Sequence, residues 1–257
     1  MPELPEVETI KRVIEPQIKG LVIEQITVSR PEVVAYPAAD EFCRRLKGQT
    51  FESMKRRGKF LIFRLESGER IIIHLRMIGC LLLASADYPE EKHTHIVFLL
   101  NNGKELRFSD TRRLGRFWLL QKGEADIYSG IGKLGKDPLA PGFNAEYLSA
   151  RLGKRKKSIK ECLLEQGVIA GIGNIYSDEI LFAARIYPAR PANSLTGDEW
   201  KRLASVIQER LSFFVEKNEM TPEEYLETKG QDYRSTLFLQ VYGHEGEPCP
   251  VCGEFLH

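Results

Sequence analysis

Between residues 21 and 120 the apolar side chains alternate or come in short blocks. Beyond residue 143 they recur at intervals of three and four. Such a switch from period 2 to period 3.6 splits a chain into a β part and an α part. The clearest strands are expected at residues 23–28, 60–65, 71–75, 96–100 and 117–120, with Asn101-Asn102-Gly103 as a hairpin turn. Helical spacing of Val7, Ile10, Val13 and Ile14 predicts a helix over 6–15, with Pro5 suited to its first position and Pro16 to its end. One more helix is expected at 38–46. The Gly- and Pro-rich stretch 130–143 reads as a boundary, followed by helices at 145–152, 158–165, 176–184, 197–217 and 221–227. Thr196 and Thr221 are positioned to cap the last two, and 237–242 reads as a strand. The expected class is α+β: a β-sandwich domain with its N-terminal helix over 1–130, a helical domain over 131–236, and a tail over 237–257.

No apolar run reaches the roughly 18–20 residues of a membrane span, and the acidic, proline-containing N-terminus is not a signal peptide. The chain is therefore expected to be cytoplasmic and to act without a membrane. A net charge of +1 does not announce a nucleic-acid partner, but its distribution is uneven. Basic residues cluster at 55–59, at Arg112, Arg113 and Arg116, and at 154–160, whereas acids gather at 216–227. Cys43, Cys80 and Cys162 stand alone in apolar or amphipathic surroundings and read as free thiols. Cys249 and Cys252 have the spacing of a metal knuckle.

The chain begins Met1-Pro2-Glu3-Leu4-Pro5-Glu6. A small second residue permits removal of Met1, which leaves Pro2 as a secondary amine titrating near ~8 rather than near the ~10.4 of a lysine. Such an amine is partly neutral at physiological pH and attacks an electrophilic carbon such as a sugar anomeric centre, with Glu3 beside it as acid or proton shuttle. The same residues also suit the mere start of a helix, and composition alone favours that second reading.

The opening through Thr9 resembles the N-terminus of the formamidopyrimidine-DNA glycosylase family, whose relatives include endonuclease VIII. Further motifs follow in that family's order: Arg56-Arg57-Gly58-Lys59-Phe60, His74-Leu75-Arg76-Met77-Ile78-Gly79, Lys92-His93-Thr94-His95, Asp110-Thr111-Arg112-Arg113, Gly171-Ile172-Gly173-Asn174-Ile175-Tyr176 and Leu239-Gln240-Val241-Tyr242-Gly243. The resemblance implies a bifunctional glycosylase and abasic-site lyase acting on damaged double-stranded DNA as a bacterial, nucleoid-associated monomer. It implies that Pro2, Glu3, Glu6 and Lys59 are catalytic, with Pro2 forming a Schiff base and Lys59 approaching the lesion. It implies DNA contacts by His74, His93, Arg155, Lys160 and Asn174. Met77 and Leu114 would fill the gap left by a flipped base, and Arg112 would pair with the orphaned partner. It also implies a helix–two-turn–helix around Gly171-Ile172-Gly173, whose helix N-terminus suits a phosphate.

This sequence departs from the family pattern in several places. Leu114 stands where phenylalanine is usual, and Arg155 where relatives carry lysine. Residues 218–224 read as an acidic, stiff loop where a basic, glycine-containing cover for the flipped base is common. Cys249 and Cys252 imply the family's structural zinc finger, but a second Cys pair and its phosphate-binding arginine do not occur in these 257 residues. Zinc is thus expected for the family and doubtful for this form. Three alternatives remain: a preference for oxidised pyrimidines of the endonuclease VIII type, a lesion-binding protein without turnover, and a zinc-ribbon DNA binder, which would have no use for a free N-terminal amine.

Overall fold

The computed structural model describes residues 1–256 and resolves the chain into two compact units. The first comprises Met1–Pro2, Glu6–Gly132 and Met220–Tyr233; the second comprises Glu3–Pro5, Lys133–Glu219 and the chain from Arg234 onward.

Helix α1 (Leu4–Ile18) begins two residues before the expected start and runs past Pro16. Proline removes one backbone donor, and the Gln17 side-chain amide donates to the Val13 carbonyl at 2.8 Å in the same turn. Val7, Ile10, Ile14 and Ile18 fall on one face and are buried in the core of the first unit. Burying a side chain such as Ile10 contributes about 1.5–3 kcal/mol, so this stripe rather than helix propensity fixes α1.

Nine strands follow: β1 (Ile23–Val28), β2 (Val34–Tyr36), β3 (Phe51–Arg57), β4 (Phe60–Leu65), β5 (Arg70–His74), β6 (Cys80–Ser85), β7 (Thr94–Leu100), β8 (Lys104–Ser109) and β9 (Arg116–Leu120), with α2 (Ala39–Leu46) after β2. They form a four-stranded sheet in the order β1-β7-β8-β6 and a five-stranded sheet in the order β2-β9-β5-β4-β3. Phe98, Phe108 and Leu81 from the first sheet share one core with Phe63, Ile73 and Phe117 from the second, as a sandwich requires.

The second unit is helical: α3 (Ala145–Leu152), α4 (Ile159–Leu164), α5 (Asn174–Ala183) and α6 (Gly197–Lys217), around a core that includes Leu4, Leu163, Ile180, Trp200 and Phe214. Ser158 and Thr196 start α4 and α6 with reciprocal capping boxes. The expected strand at 237–242 is absent: a 3₁₀ turn covers Arg234–Phe238 and no ladder follows. Its amides go to a side chain instead. The buried Glu179 carboxylate accepts the N–H groups of Gln240, Val241 and Tyr242 at 2.9–3.0 Å.

The helix expected at 221–227 forms as α7 (Pro222–Glu227), opened by a capping box between Thr221 and Glu224, so the last three residues of 218–224 are helical; α7 belongs to the first unit.

Candidate DNA-repair site

The register of the five-stranded sheet gathers most of the candidate residues of the first unit. Arg57 pairs with Phe60, Phe60 with His74, and His74 with Arg116. One row across β3, β4, β5 and β9 therefore lies beside Lys59, beside the 75–79 loop and beside the 110–115 loop.

Gly58 and Lys59 form the two-residue turn between β3 and β4, with Gly58 at φ 57°. A positive φ at the first turn position favours glycine and matches the twist of the flanking strands, so Gly58 sets where Lys59 points. Lys59 is only 6% exposed. The neighbouring Arg56 faces α1, where it donates to Glu8 at 2.8 Å. That member of the basic cluster therefore secures the hairpin.

His74 is buried edge-on against Phe60, with ring centroids 4.5 Å apart. Its Nδ1 accepts the Arg76 N–H at 3.0 Å. Burial, together with the Arg76 and Lys59 cations, holds its pKa down to about 3. The ring is therefore neutral with its proton on Nε2, the form that donates to a phosphate oxygen.

Arg76 turns the chain at φ 60°, and Met77 and Ile78 after it are 40% and 43% exposed. Leu114, at the tip of the other loop, is 39% exposed. Large apolar groups in solvent at two neighbouring loops are unusual for a water-facing surface and suit wedges between stacked bases.

Asp110 builds the second loop, a role its sequence position did not announce. Its buried carboxylate accepts the N–H groups of Arg112, Leu114 and Gly115 at 2.8–2.9 Å. Its own N–H donates to the His93 carbonyl, and its carbonyl accepts His95 Nε2–H at 2.8 Å. His93 is half-buried at this junction, and the Arg112 side chain is exposed. An aspartate opening a polar turn was the available signal.

In the second unit, Glu3 is buried at the N-terminus of α5. Its carboxylate accepts the N–H groups of Gly173, Ile175 and Tyr176 at 2.6, 3.1 and 3.4 Å. Leu4 N–H donates to the Gly171 carbonyl, and a Cβ on Gly171 would come within 2.8 Å of the Leu4 side chain. The two-turn segment is pinned from inside by Gln166, which bonds Leu164, Gly171 and Ile172. The expectation that the α5 amides await a phosphate is thus corrected for three of them, because the chain's own carboxylate fills the positive end of the helix. Asn174 remains exposed there.

Arg155 and Lys160 are committed to ion pairs, with Glu165 and, at 2.7 Å, with Asp178. In the tail, Cys249 Sγ accepts the Val251 N–H at 3.5 Å, and N–H groups of Cys252, Val251 and Gly253 lower its thiol pKa. That turn fits two corners of a tetrahedral zinc site. Among the described residues no three His, Cys, Asp or Glu side chains converge to hold a metal, and His244 is paired with Glu247. His257, the other histidine in the tail, lies outside the described residues.

Residues 1–117 match the formamidopyrimidine-DNA glycosylase N-terminal domain, and residues 134–224 match the formamidopyrimidine-DNA glycosylase H2TH domain. The chain belongs to the formamidopyrimidine-DNA glycosylase family. Proteins of that name from Desulforamulus reducens and Geobacillus kaustophilus are 43% and 44% identical, over 99% and 98% of this chain and 92% of each relative. The fold matches wild-type Lactococcus lactis Fpg (MutM) in complex with an oxidized pyrimidine containing DNA, at TM-score 0.90 and 35% identity. That match covers 99% of this chain and 92% of the other. The same Lactococcus protein with an abasic site containing DNA gives the same TM-score over 98% of this chain and 92% of that one. Among the described residues no helix is long and apolar enough to cross a membrane.

Proposed function

We propose that this chain is a base-excision repair enzyme that releases oxidised purines, namely formamidopyrimidines and 8-oxoguanine, from duplex DNA and then cleaves the abasic strand. The observation that carries the reading is the sheet-end row, which brings Lys59, His74, Met77, Arg112 and Leu114 together beside exposed apolar loops. Family membership over nearly the whole chain gives it its chemistry.

In this reading Met1 is removed and the Pro2 amine attacks the sugar C1′. The bond from C1′ to the base breaks, and the base leaves with its electron pair and a proton. The attacking nitrogen gives up its proton, and its lone pair then forms an iminium with C1′ as the C1′–O4′ bond breaks and O4′ takes up a proton; loss of a C2′ proton expels the 3′ phosphate, and a second elimination expels the 5′ phosphate. Glu3, whose carboxylate is oriented by three amides, is the acid or proton shuttle beside Pro2. Glu6 serves the same centre. Lys59 protonates the leaving base and meets a phosphate, and neutral His74 and exposed Asn174 donate to the backbone. His93, Arg155 and Lys160 add contacts to the damaged strand, the last two by exchanging carboxylate partners for phosphate. Met77 and Leu114 fill the vacated stack, and Arg112 meets the orphaned base. The protein acts as a monomer at the nucleoid, in the cytoplasm of a bacterium like its named relatives. Cys249 and Cys252 would supply two of the four ligands of the family's structural zinc.

Borohydride reduction during turnover tests the centre. The expected result is DNA trapped on the N-terminal peptide at Pro2, slowed in Pro2→Gly and abolished when Met1 is retained. Trapping on a lysine while Pro2 is blocked would overturn the assignment. Since one structural neighbour holds oxidised pyrimidine DNA, that lesion class is the second to assay.

A further inference from the structure

Within the first unit a buried polar chain runs from the strand after the Met77 loop toward Glu6. Cys80 opens β6, three residues beyond Met77, and its thiol donates to the Lys229 carbonyl at 3.0 Å. Tyr225, on α7, is buried and donates its hydroxyl to the Leu81 carbonyl at 3.0 Å. Cys80 Sγ and Tyr225 Oη converge on Gly230, whose φ is +62°; a Cβ there would lie 2.7 Å from the sulfur and 2.6 Å from the oxygen. Burial, and after it the neighbouring Cys80 and Tyr233, push the Tyr225 hydroxyl well above its ordinary pKa. Burial, then Cys80 and then Glu6 push the Tyr233 hydroxyl up as well. Burial pushes the Cys80 thiol up to about 12, so it serves as a neutral donor rather than a nucleophile.

None of this belongs to the chemistry assigned above. Cys80 and Tyr225 fasten residues 220–233 to the strand that continues directly from the wedge loop. A close glycine contact, two buried hydroxyls and a thiol make a tightly specified node, because an unmade bond at any one of them leaves a buried polar atom without its partner. We propose that Cys80 is a positioning residue: seated between Tyr225 and the Lys229 carbonyl, it locks the 220–233 segment to the Met77 loop and so sets Tyr233 beside Glu6. Displacing that segment shifts the wedge, at the stage when a base must be flipped. A preformed abasic site has no base to flip and bypasses that stage.

The inference rests on the glycosylase reading, and the test separates the two. Base release and strand cleavage are measured in single turnovers at saturating enzyme, on a duplex with one formamidopyrimidine and on a duplex with a preformed abasic site. Absence of base release by the wild type would sink the functional reading itself. With wild type active, Cys80→Val and Tyr225→Phe are each expected to slow base release about tenfold, the scale of a misplacement well under an ångström. Cleavage of the abasic duplex should stay within about twofold in both. Cys80→Ser keeps a donor and should restore base release to within about twofold of wild type. Cys80→Val combined with Tyr225→Phe should be no slower than the slower single variant, since both break one link. Unchanged base release in Cys80→Val overturns the proposal. So does a parallel fall of both activities with the melting temperature, which is what loss of packing alone produces.

Discussion

The Glu3 carboxylate accepts the Gly173 N–H at 2.6 Å across 170 positions of sequence, and it also accepts the Ile175 and Tyr176 amides of α5. A residue beside the candidate nucleophile is thereby also the cap of the helix that follows the two-turn segment. One group fixes the N-terminal residues to α5 and presents a carboxylate next to Pro2. The helix dipole and these three donors stabilise its charge.

Replacing Glu3 by Gln keeps the shape and removes the charge, so it separates these duties. We expect Glu3→Gln to fold and to lose about 1–2 kcal/mol of stability, in the range of a lost charged cap in a partly buried setting. Base release should fall much further than DNA binding does. Urea unfolding and single-turnover kinetics read the two effects. A stable variant with wild-type kinetics would leave Glu3 a cap and nothing more.

His74 makes a prediction about pH. Its folded pKa, held near 3 by burial and by the Arg76 and Lys59 cations, lies below the ordinary value of 6.5. The folded ring is therefore neutral where the unfolded one takes up a proton. The stability this contributes is complete above about pH 6.5 and declines as pH falls toward 3, by about 1.4 kcal/mol per pH unit. His74→Gln should flatten that part of the profile. In the folded protein the His74 ring resonances should not titrate between about pH 5 and 8, and a midpoint near 6.5 would contradict the buried neutral ring.

Much of this was legible in advance for physical reasons that can be named. The hairpin at Asn101-Asn102-Gly103, the capped start of α6 at Thr196 and the α1 stripe are local: turn chemistry or side-chain period decides them. Features decided by distant partners were not legible. Residues 237–242 have strand composition, yet their amides meet Glu179 on α5, more than 60 positions away, and no partner strand. Asp110 lay inside a quoted motif, but only the folded loop reveals that its carboxylate collects three amides. The ion pairs of Arg155 and Lys160 likewise depend on acids brought near by the turn between α4 and α5.

Helix α7 bears on lesion choice. The Thr221 N–H donates to the Glu224 carboxylate, the Glu224 N–H to the Thr221 hydroxyl, and the Tyr225 N–H to the Thr221 carbonyl, while Pro222 has no donor. The Thr221, Glu224 and Tyr225 donors are already committed, and the acidic side chains of this segment cannot supply one to a carbonyl edge. We therefore expect ring-opened formamidopyrimidines to be released faster than 8-oxoguanine. Side-by-side single-turnover rates decide it, and a clear preference for 8-oxoguanine would show that α7 rearranges on DNA.

Zinc affinity is the last expectation. Structural zinc takes four ligands, and Cys249 and Cys252 supply two thiolates in a turn whose N–H groups already stabilise the charged sulfur. The antiparallel bridge between Pro248 and Phe255 and the Cys249 N–H to Glu254 carbonyl bond of 2.7 Å preform that turn. A preformed half-site binds metal more tightly than two unconstrained thiols, but it leaves two coordination positions to water or to a histidine. His244 is engaged with Glu247 at 2.7 Å and would have to give up that partner. A polypeptide of these 257 residues should therefore take up zinc and lose it to a strong chelator during dialysis. Cobalt substitution should give weak d–d bands rather than the intense ones of a closed tetrahedral sulfur site. Metal analysis after dialysis reads the outcome: near-stoichiometric zinc that survives the chelator, and is lost in Cys249→Ser, would show that a histidine of the tail closes the shell.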